Sequence, residues 1–290
     1  MIPLIVSILC SSLIFVIFKL FPKYGINTFQ AIVFNYFTAF TCGILLFGKE
    51  WNSKALESGN WPYFVILSAL LFISLFIVMG ISSQKNGVAL TSIAGKMSMG
   101  LSMLFMIGLY NEPLSLMKIG GILLAFLGVF LVSFAKSNDG KNSNSIWLLI
   151  LLFVGSAILD VVLNYVQKFE FEHIPASLFS AFGFGLAGVI GLVILVVQIL
   201  RKSAQFELRN VFAGILLGIP NYFSIYLLIL SYKSTGWTDS TVLAIMNVST
   251  VLISAVIGFI VFRENVTVQK IIGLLAAVSA ILLLYFANLN

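Results

Sequence analysis

Charged residues make up only 9% of this 290-residue chain. A soluble domain carries about a quarter. With 60% hydrophobic residues and a mean hydropathy of +1.11, the chain has more apolar surface than a water-soluble core can hide. A water-solvated globule is thereby excluded, and the solvent the sequence calls for is a bilayer. Histidine is nearly missing: His173 stands alone, so no histidine-built metal centre is expected. The only two cysteines, Cys10 and Cys42, lie in apolar runs without CxxC or zinc spacing and read as small apolar packers. No GxxxxGK[ST] exists: Gly95-Lys96 is followed by Met97, and Leu90 stands where the first glycine belongs. HExxH and GxSxG are absent as well. These gaps leave no cofactor implied, no ATP coupling within this chain, and no enzyme. The net charge of +6 is spread singly between apolar runs, without the basic face or block that nucleic acid requires.

What the chain does have is long apolar runs. Crossing hydrocarbon takes about 20 apolar residues in helix. Ten windows qualify: Ile2–Leu20, Phe29–Phe47, Trp61–Ile81, Gly87–Leu109, Leu116–Ala135, Ile146–Val166, Ala176–Leu200, Asn210–Leu230, Ser240–Phe262 and Val268–Ala287. The first begins without a basic n-region and outruns a signal core, so it reads as a span. The fold class expected is all-α integral membrane, with ten transmembrane helices. The main composition shift is the polar, turn-rich KSNDGKNSNS, residues 136–145. It separates two five-helix units, residues 1–135 and 146–290.

The ends of the two units match. LYNEPLSLMKIGGILLAFLGVFL starts at Leu109 and VFRENVTVQKIIGLLAAVSAILL at Val261. One constant offset aligns Glu112 with Glu264, Lys118 with Lys270, Ile119 with Ile271, Gly121 with Gly273 and Ala125 with Ala277. Apolar matches recur by chance between spans; charged ones at fixed spacing point to a duplication. Five spans return the chain to the opposite face, so the second unit enters upside down. That is the inverted repeat of many secondary transporters.

With Tyr110-Asn111-Glu112-Pro113-Leu114 and Phe262-Arg263-Glu264-Asn265-Val266 each just after the fourth span of its unit, the sequence resembles the EamA-type drug/metabolite transporter superfamily. The resemblance covers nearly the whole chain. It implies export or exchange of small metabolites. Family members often carry a proline near the middle of spans four and nine, where this chain has Gly95-Lys96 and Asn247. The localisation expected is a bacterial inner membrane. Lys and Arg are about twice as frequent around connections after odd-numbered spans, which puts both termini outside.

Polar residues within spans carry the functional argument. A charge at the bilayer centre costs about 2.5–3.5 kcal/mol on insertion scales. Lys96 in span four and Asp160 in span six are the two such charges. Their levels differ by about 7–8 Å at 1.5 Å per residue, within a lysine's reach. A Lys96–Asp160 pair across a cavity is therefore expected, with Lys96 for a substrate carboxylate and Asp160 for an amine or a coupling proton. The competing reading is a purely structural pair, or a Lys96 that reaches to the interface. Asn164 follows Asp160 by one turn on the same helix face. Pro220-Asn221-Tyr222 interrupts span eight, with Tyr226 one turn later, and proline frees a backbone carbonyl. Asn247 sits with Ser249 and Thr250 in span nine. Each of these is also a candidate for a plain interhelical hydrogen bond. Asn35 and Thr38 give weaker signals.

The remaining features read as structural. Trp61, Trp147 and Trp237 resemble aromatic-belt anchors. Gly183, Gly185, Gly188 and Gly191 read as close helix packing. Glu112 and Glu264 read as helix-end groups or parts of a gate. Ser82–Asn86 reads as a polar loop, and Glu170, Glu172 and His173 as a solvated turn. The function expected is a secondary transporter of a small polar or amphipathic metabolite, an amino acid or other carboxylate. The alternatives are a non-transporting receptor or scaffold and an intramembrane enzyme.

Overall fold

The computed structural model describes residues 1–50, 59–110, 115–133, 146–170, 174–234, 239–264 and 266–287. Regular structure among them is all helical. The long helices are α1 (Ile2–Leu20), α2 (Thr28–Phe47), α3 (Trp61–Lys85), α4 (Val88–Tyr110) and α5 (Leu116–Ser133). They continue with α6 (Ile146–Phe169), α7 (Ala176–Leu200), α8 (Leu208–Ser234), α9 (Asp239–Ile260) and α10 (Val268–Ala287). Every apolar window falls on one of them. Seven carry a stretch long and apolar enough to cross a membrane; Leu116–Gly128, Ile245–Ile260 and Val268–Leu284 are shorter apolar stretches. The chain is an integral, multi-pass membrane protein. Its exposed surface is studded with large apolar side chains such as Leu45, Leu116 and Ile260, as lipid contact requires.

Local chemistry sets several helix ends. Asn27 caps α2 by accepting from Gln30 N at 3.1 Å. The Ser115 hydroxyl accepts from Lys118 N at 3.2 Å to open α5, and Thr267 does the same for Lys270 N at 3.3 Å to open α10. These two caps sit at equivalent places of the matched segments. The pair adds a turn-forming hydroxyl to the matched Glu and Lys.

Helix α2 packs on α7 and α8, α5 on α10, α4 on α6 and α9, α3 on α6 and α7, and α1 on α8 and α9. The α2/α8 crossing is close: a Cβ on Gly214 or Gly218 would lie 2.6 or 2.7 Å from a backbone oxygen of α2. The span-seven glycines receive Phe72, Phe40, Phe37 and Val33, which supports their packing role.

Connections after odd-numbered helices meet at one end of the bundle. There Asn27 N donates to Asn210 Oδ1 (2.9 Å), Gln30 Nε2 to Gln205 O (2.6 Å) and Gln84 Nε2 to Thr28 Oγ1 (2.7 Å). At the other end, Asn60 N donates to Glu170 Oε2 at 2.9 Å, joining two even-numbered connections. We call these the odd end and the even end.

Three expectations change. Ser82–Lys85 is the last turn of α3 rather than a loop, and Ser82 and Ser83 are buried. Ser82 is served locally: its Oγ is 2.8 Å from Thr91 Oγ1 and accepts from Asn86 Nδ2 at 3.0 Å, whereas Ser83 Oγ is buried without a partner. Glu170 is buried rather than solvated, because it serves the Asn60 amide; Glu172 and His173 lie outside the described residues. Trp61 is buried and stacked on Phe182, whereas Trp147 is exposed as a belt residue would be; Trp237 lies outside the described residues.

Candidate functional site

The middle of the bundle holds a cavity of about 290 Å³ walled by α1, α2, α3, α4, α6, α7 and α8. Lys96 enters it from α4, Asp160 and Ser156 from α6, Ser11 from α1 and Asn221 from α8. The opposite wall is aromatic: Tyr36, Phe72, Phe76 and Phe184. Tyr36 stacks on Phe184 and donates its hydroxyl to Phe72 O at 2.6 Å, which fixes the ring plane. The chamber thus places one cation, one anion and neutral polar groups against π-faces. That combination can seat a small amphipathic solute by its charged groups while its apolar part meets rings.

The structure brings Lys96, Asp160 and Asn221 to one chamber. Among the described residues no direct ion pair joins Lys96 to Asp160. Asp160 Oδ2 lies instead 3.0 Å from Ser98 Oγ, a hydroxyl that is also 2.8 Å from Gly95 O. Asn221 Nδ2 donates to Asn35 Oδ1 at 3.2 Å, so the weak signal at Asn35 leads to the asparagine beside the proline.

Asn164, Tyr222, Tyr226 and Asn247 do not line this chamber. Asn164 is partly buried on α6. Tyr222 and Tyr226 stack on each other, and Tyr226 meets Phe47. Asn247 Nδ2 is 3.7 Å from Met99 Sδ, at the α4/α9 contact. Sequence reasoning passed over Ser11, Ser98 and Ser156, because a lone serine in an apolar helix carries no directional signal. It also passed over the rings, because Phe abounds in every span.

The odd end closes over α4. The Glu264 carboxylate accepts from Val88 N at 2.6 Å and from Ala89 N at 3.4 Å. The first amides of a helix have no intrahelical partner and carry the positive end of its dipole, so a carboxylate is the natural cap. Two glycines make the room. Gly87 has φ +95°, and a Cβ there would sit 2.5 Å from the carboxylate; a Cβ on Gly258 would sit 2.7 Å from Glu264 Oε2. Glu264 is therefore a helix-end group, as one of its two readings had it, but for a helix of the other unit. Glu112 lies outside the described residues. Beside this cap, Lys19 Nζ donates to Gln84 O at 3.1 Å, tying α1 to α3.

The profile of the EamA-like transporter family matches residues 2–134 and 144–286. The chain belongs to this family, and so to the drug/metabolite transporter superfamily. Its members are transporters of a two-repeat membrane fold, which makes a small molecule and a membrane the expected partners of the chamber. An uncharacterized protein of Haemophilus influenzae (strain ATCC 51907 / DSM 11121 / KW20 / Rd) is 31% identical over 292 residues, covering 98% of each chain. A crystal structure of a protein with 14% sequence identity superposes with a TM-score of 0.59 over 98% of this chain and 99% of its own; at that identity the likeness concerns fold alone.

Proposed function

We propose that this protein is a secondary transporter that moves a small polar or amphipathic metabolite by alternating access. Lys96 is the anchor for an anionic group, with Asp160 for an amine or a coupling proton and Asn221 as a neutral contact. Asn164, Tyr222, Tyr226 and Asn247 belong to the surrounding helix contacts, and would act only if the chamber enlarges in another state. The single observation that carries the reading is the shared central cavity holding Lys96 and Asp160 between helices of both units.

The architecture of this reading is ten spans in two inverted units, residues 1–135 and 146–290, in a bacterial inner membrane. Two observations support it. First, every described interloop hydrogen bond joins odd with odd or even with even connections, as strict up-and-down alternation requires. Second, contacts between helices come in pairs related by a shift of five. The α2/α8 packing has its counterpart in α3/α7, α1/α8 in α3/α6, α4/α6 in α1/α9, and α4/α5 in α9/α10. The pairing fails at α1/α3, α2/α3, α4/α10, α1/α4 and α5/α6, whose counterparts have no comparable packing among the described residues.

The test is a thermal-shift screen of purified protein against metabolites, run beside Lys96→Ala, followed by uptake of the hits into proteoliposomes. A ligand that stabilises the parent alone and is then transported supports the reading. Ligands acting equally on both proteins remove Lys96 as the anchor, and hits that are never transported favour a receptor. Uptake that collapses with a proton ionophore, and loses that sensitivity in Asp160→Asn, assigns the coupling to Asp160.

A further inference from the structure

Helices α1 and α9 pack together, and both carry buried hydroxyls that have no hydrogen-bond partner. Ser12 Oγ on α1 and Thr250 Oγ1 and Ser254 Oγ on α9 are buried and lack any hydrogen-bond partner. Helical Ser and Thr ordinarily return their proton to a carbonyl three or four residues back. Several in this chain do, as Thr38 to Phe34 O, Ser102 to Met99 O and Ser231 to Leu227 O, although Ser68 and Ser83 of α3 are buried without a partner as well. Orphaned hydroxyls in a packed interior call for an explanation.

The helical repeat sets the hydroxyls along one stretch of the two helices. Helices α1 and α9 run in the same direction, since each ends at the odd end. Ser7 Oγ meets Met246 Sδ at 3.8 Å, and Leu4 and Ile8 pack with Val242 and Met246. One turn further on, the same two faces carry Ser12 and Thr250, and Ser254 stands a turn beyond toward Gly258 and the Glu264 cap.

The repeat gives these positions a meaning. At the offset that aligns Glu112 with Glu264, Thr250 corresponds to Ser98 and Ser254 to Ser102. Counted from the first residue of its helix, Ser12 of α1 corresponds to Ser156 of α6. The α1/α9 contact is itself the counterpart of α4/α6, where Ser156 lines the chamber and Ser98 holds Asp160.

We infer that Ser12, Thr250 and Ser254 line the solute's path at the α1/α9 seam, which parts toward the odd end when the transporter exchanges states. The inference rests on the alternating-access reading above. In this state the seam is the shut counterpart of the α4/α6 wall, held by the Glu264 cap on α4 and the Lys19–Gln84 tie. Its lining is uncharged, because Val248 stands where Lys96 does in the first unit and Val16 where Asp160 does. A solute leaving this way meets hydroxyls but no counter-ion.

The experiment uses Ser12→Cys, Thr250→Cys, Ser254→Cys and Ser156→Cys, each in a Cys10→Ala/Cys42→Ala background. Labelling by a membrane-impermeant methanethiosulfonate is followed in right-side-out and inverted vesicles. Serine and threonine to cysteine are small changes that keep the fold. We expect the three seam thiols to label from the odd end only and Ser156→Cys from the even end. Adding Glu264→Ala, which removes the cap, raises the seam rates about tenfold, and Glu264→Gln, which keeps an acceptor, raises them less. Seam thiols that stay silent in both Glu264 variants, or label from the even end, overturn the inference while Ser156→Cys labelling leaves the chamber reading intact. Silence of Ser156→Cys from both sides overturns the chamber reading, and the inference with it.

Discussion

Two helix pairs hold matching places in the two units and differ in what they contain. The α4/α6 pair carries Lys96, Ser98, Ser156 and Asp160 and opens onto a cavity; the α1/α9 pair carries Ser12, Thr250 and Ser254 and is shut. The difference lies in charge more than in shape. Hydroxyls survive burial at modest cost, whereas an ammonium or carboxylate needs a polar chamber or a partner. In the proposed architecture the two walls share one scaffold, and the charges at two positions, Lys96 and Asp160, distinguish the wall proposed as the site.

That contrast can be broken by removing the charges. Lys96→Ala should weaken a carboxylate ligand by about 10- to 100-fold, the range for a hydrogen bond to a charged group, read as the lost ligand-induced rise in Tm. The same change at Val248 should leave ligand affinity near that of the parent. A smaller loss confined to fold stability is expected for Gly87→Ala. It forces an alanine into φ +95° and against the Glu264 carboxylate, at about 1–3 kcal/mol in thermal or denaturant unfolding in detergent.

The comparison sharpens with single hydroxyls. Ser98→Ala removes the donor to Asp160 and should destabilise by about 1.5–3 kcal/mol, the range for a hydrogen bond to a charged group. Thr250→Val removes an orphan hydroxyl at nearly constant volume, and should be neutral or raise Tm, because nothing loses a partner. A destabilising Thr250→Val would mean that the hydroxyl is bonded. Ser115→Ala and Thr267→Ala should each cost about 1 kcal/mol or less, and by similar amounts, because both remove the same N-cap of α5 and α10. A marked inequality would count against equivalent roles for the two turns.

Much of the site was legible one residue at a time. Lys96 and Asp160 stand out because charge inside an apolar run is costly, and Pro220-Asn221 because proline disturbs a helix. Asn164, Tyr222, Tyr226 and Asn247 satisfied the same rule of polar residue at mid-span but are not among the residues that line the chamber. Span position fixes depth but leaves the rotation of a helix about its axis open, and these spans have apolar residues on every face. Ser98 and Ser156 escaped notice for the complementary reason: they matter through what faces them, and that neighbour is far away in sequence.

Length, hydropathy and the aligned Glu-Lys segments were enough to specify a helical membrane protein and the positions of its helices, since hydrocarbon admits few other ways to satisfy a backbone. They also pointed to the family. Which helix faces which was decided only in three dimensions. Glu264 caps the helix that carries Lys96, Ser98 turns toward Asp160, and Ser82–Lys85 is helix, with Ser82 bonded to Thr91 and Asn86 and Gln84 O to Lys19. Those outcomes depend on pairings between residues distant in the chain, which a local pattern of apolar and polar side chains does not encode.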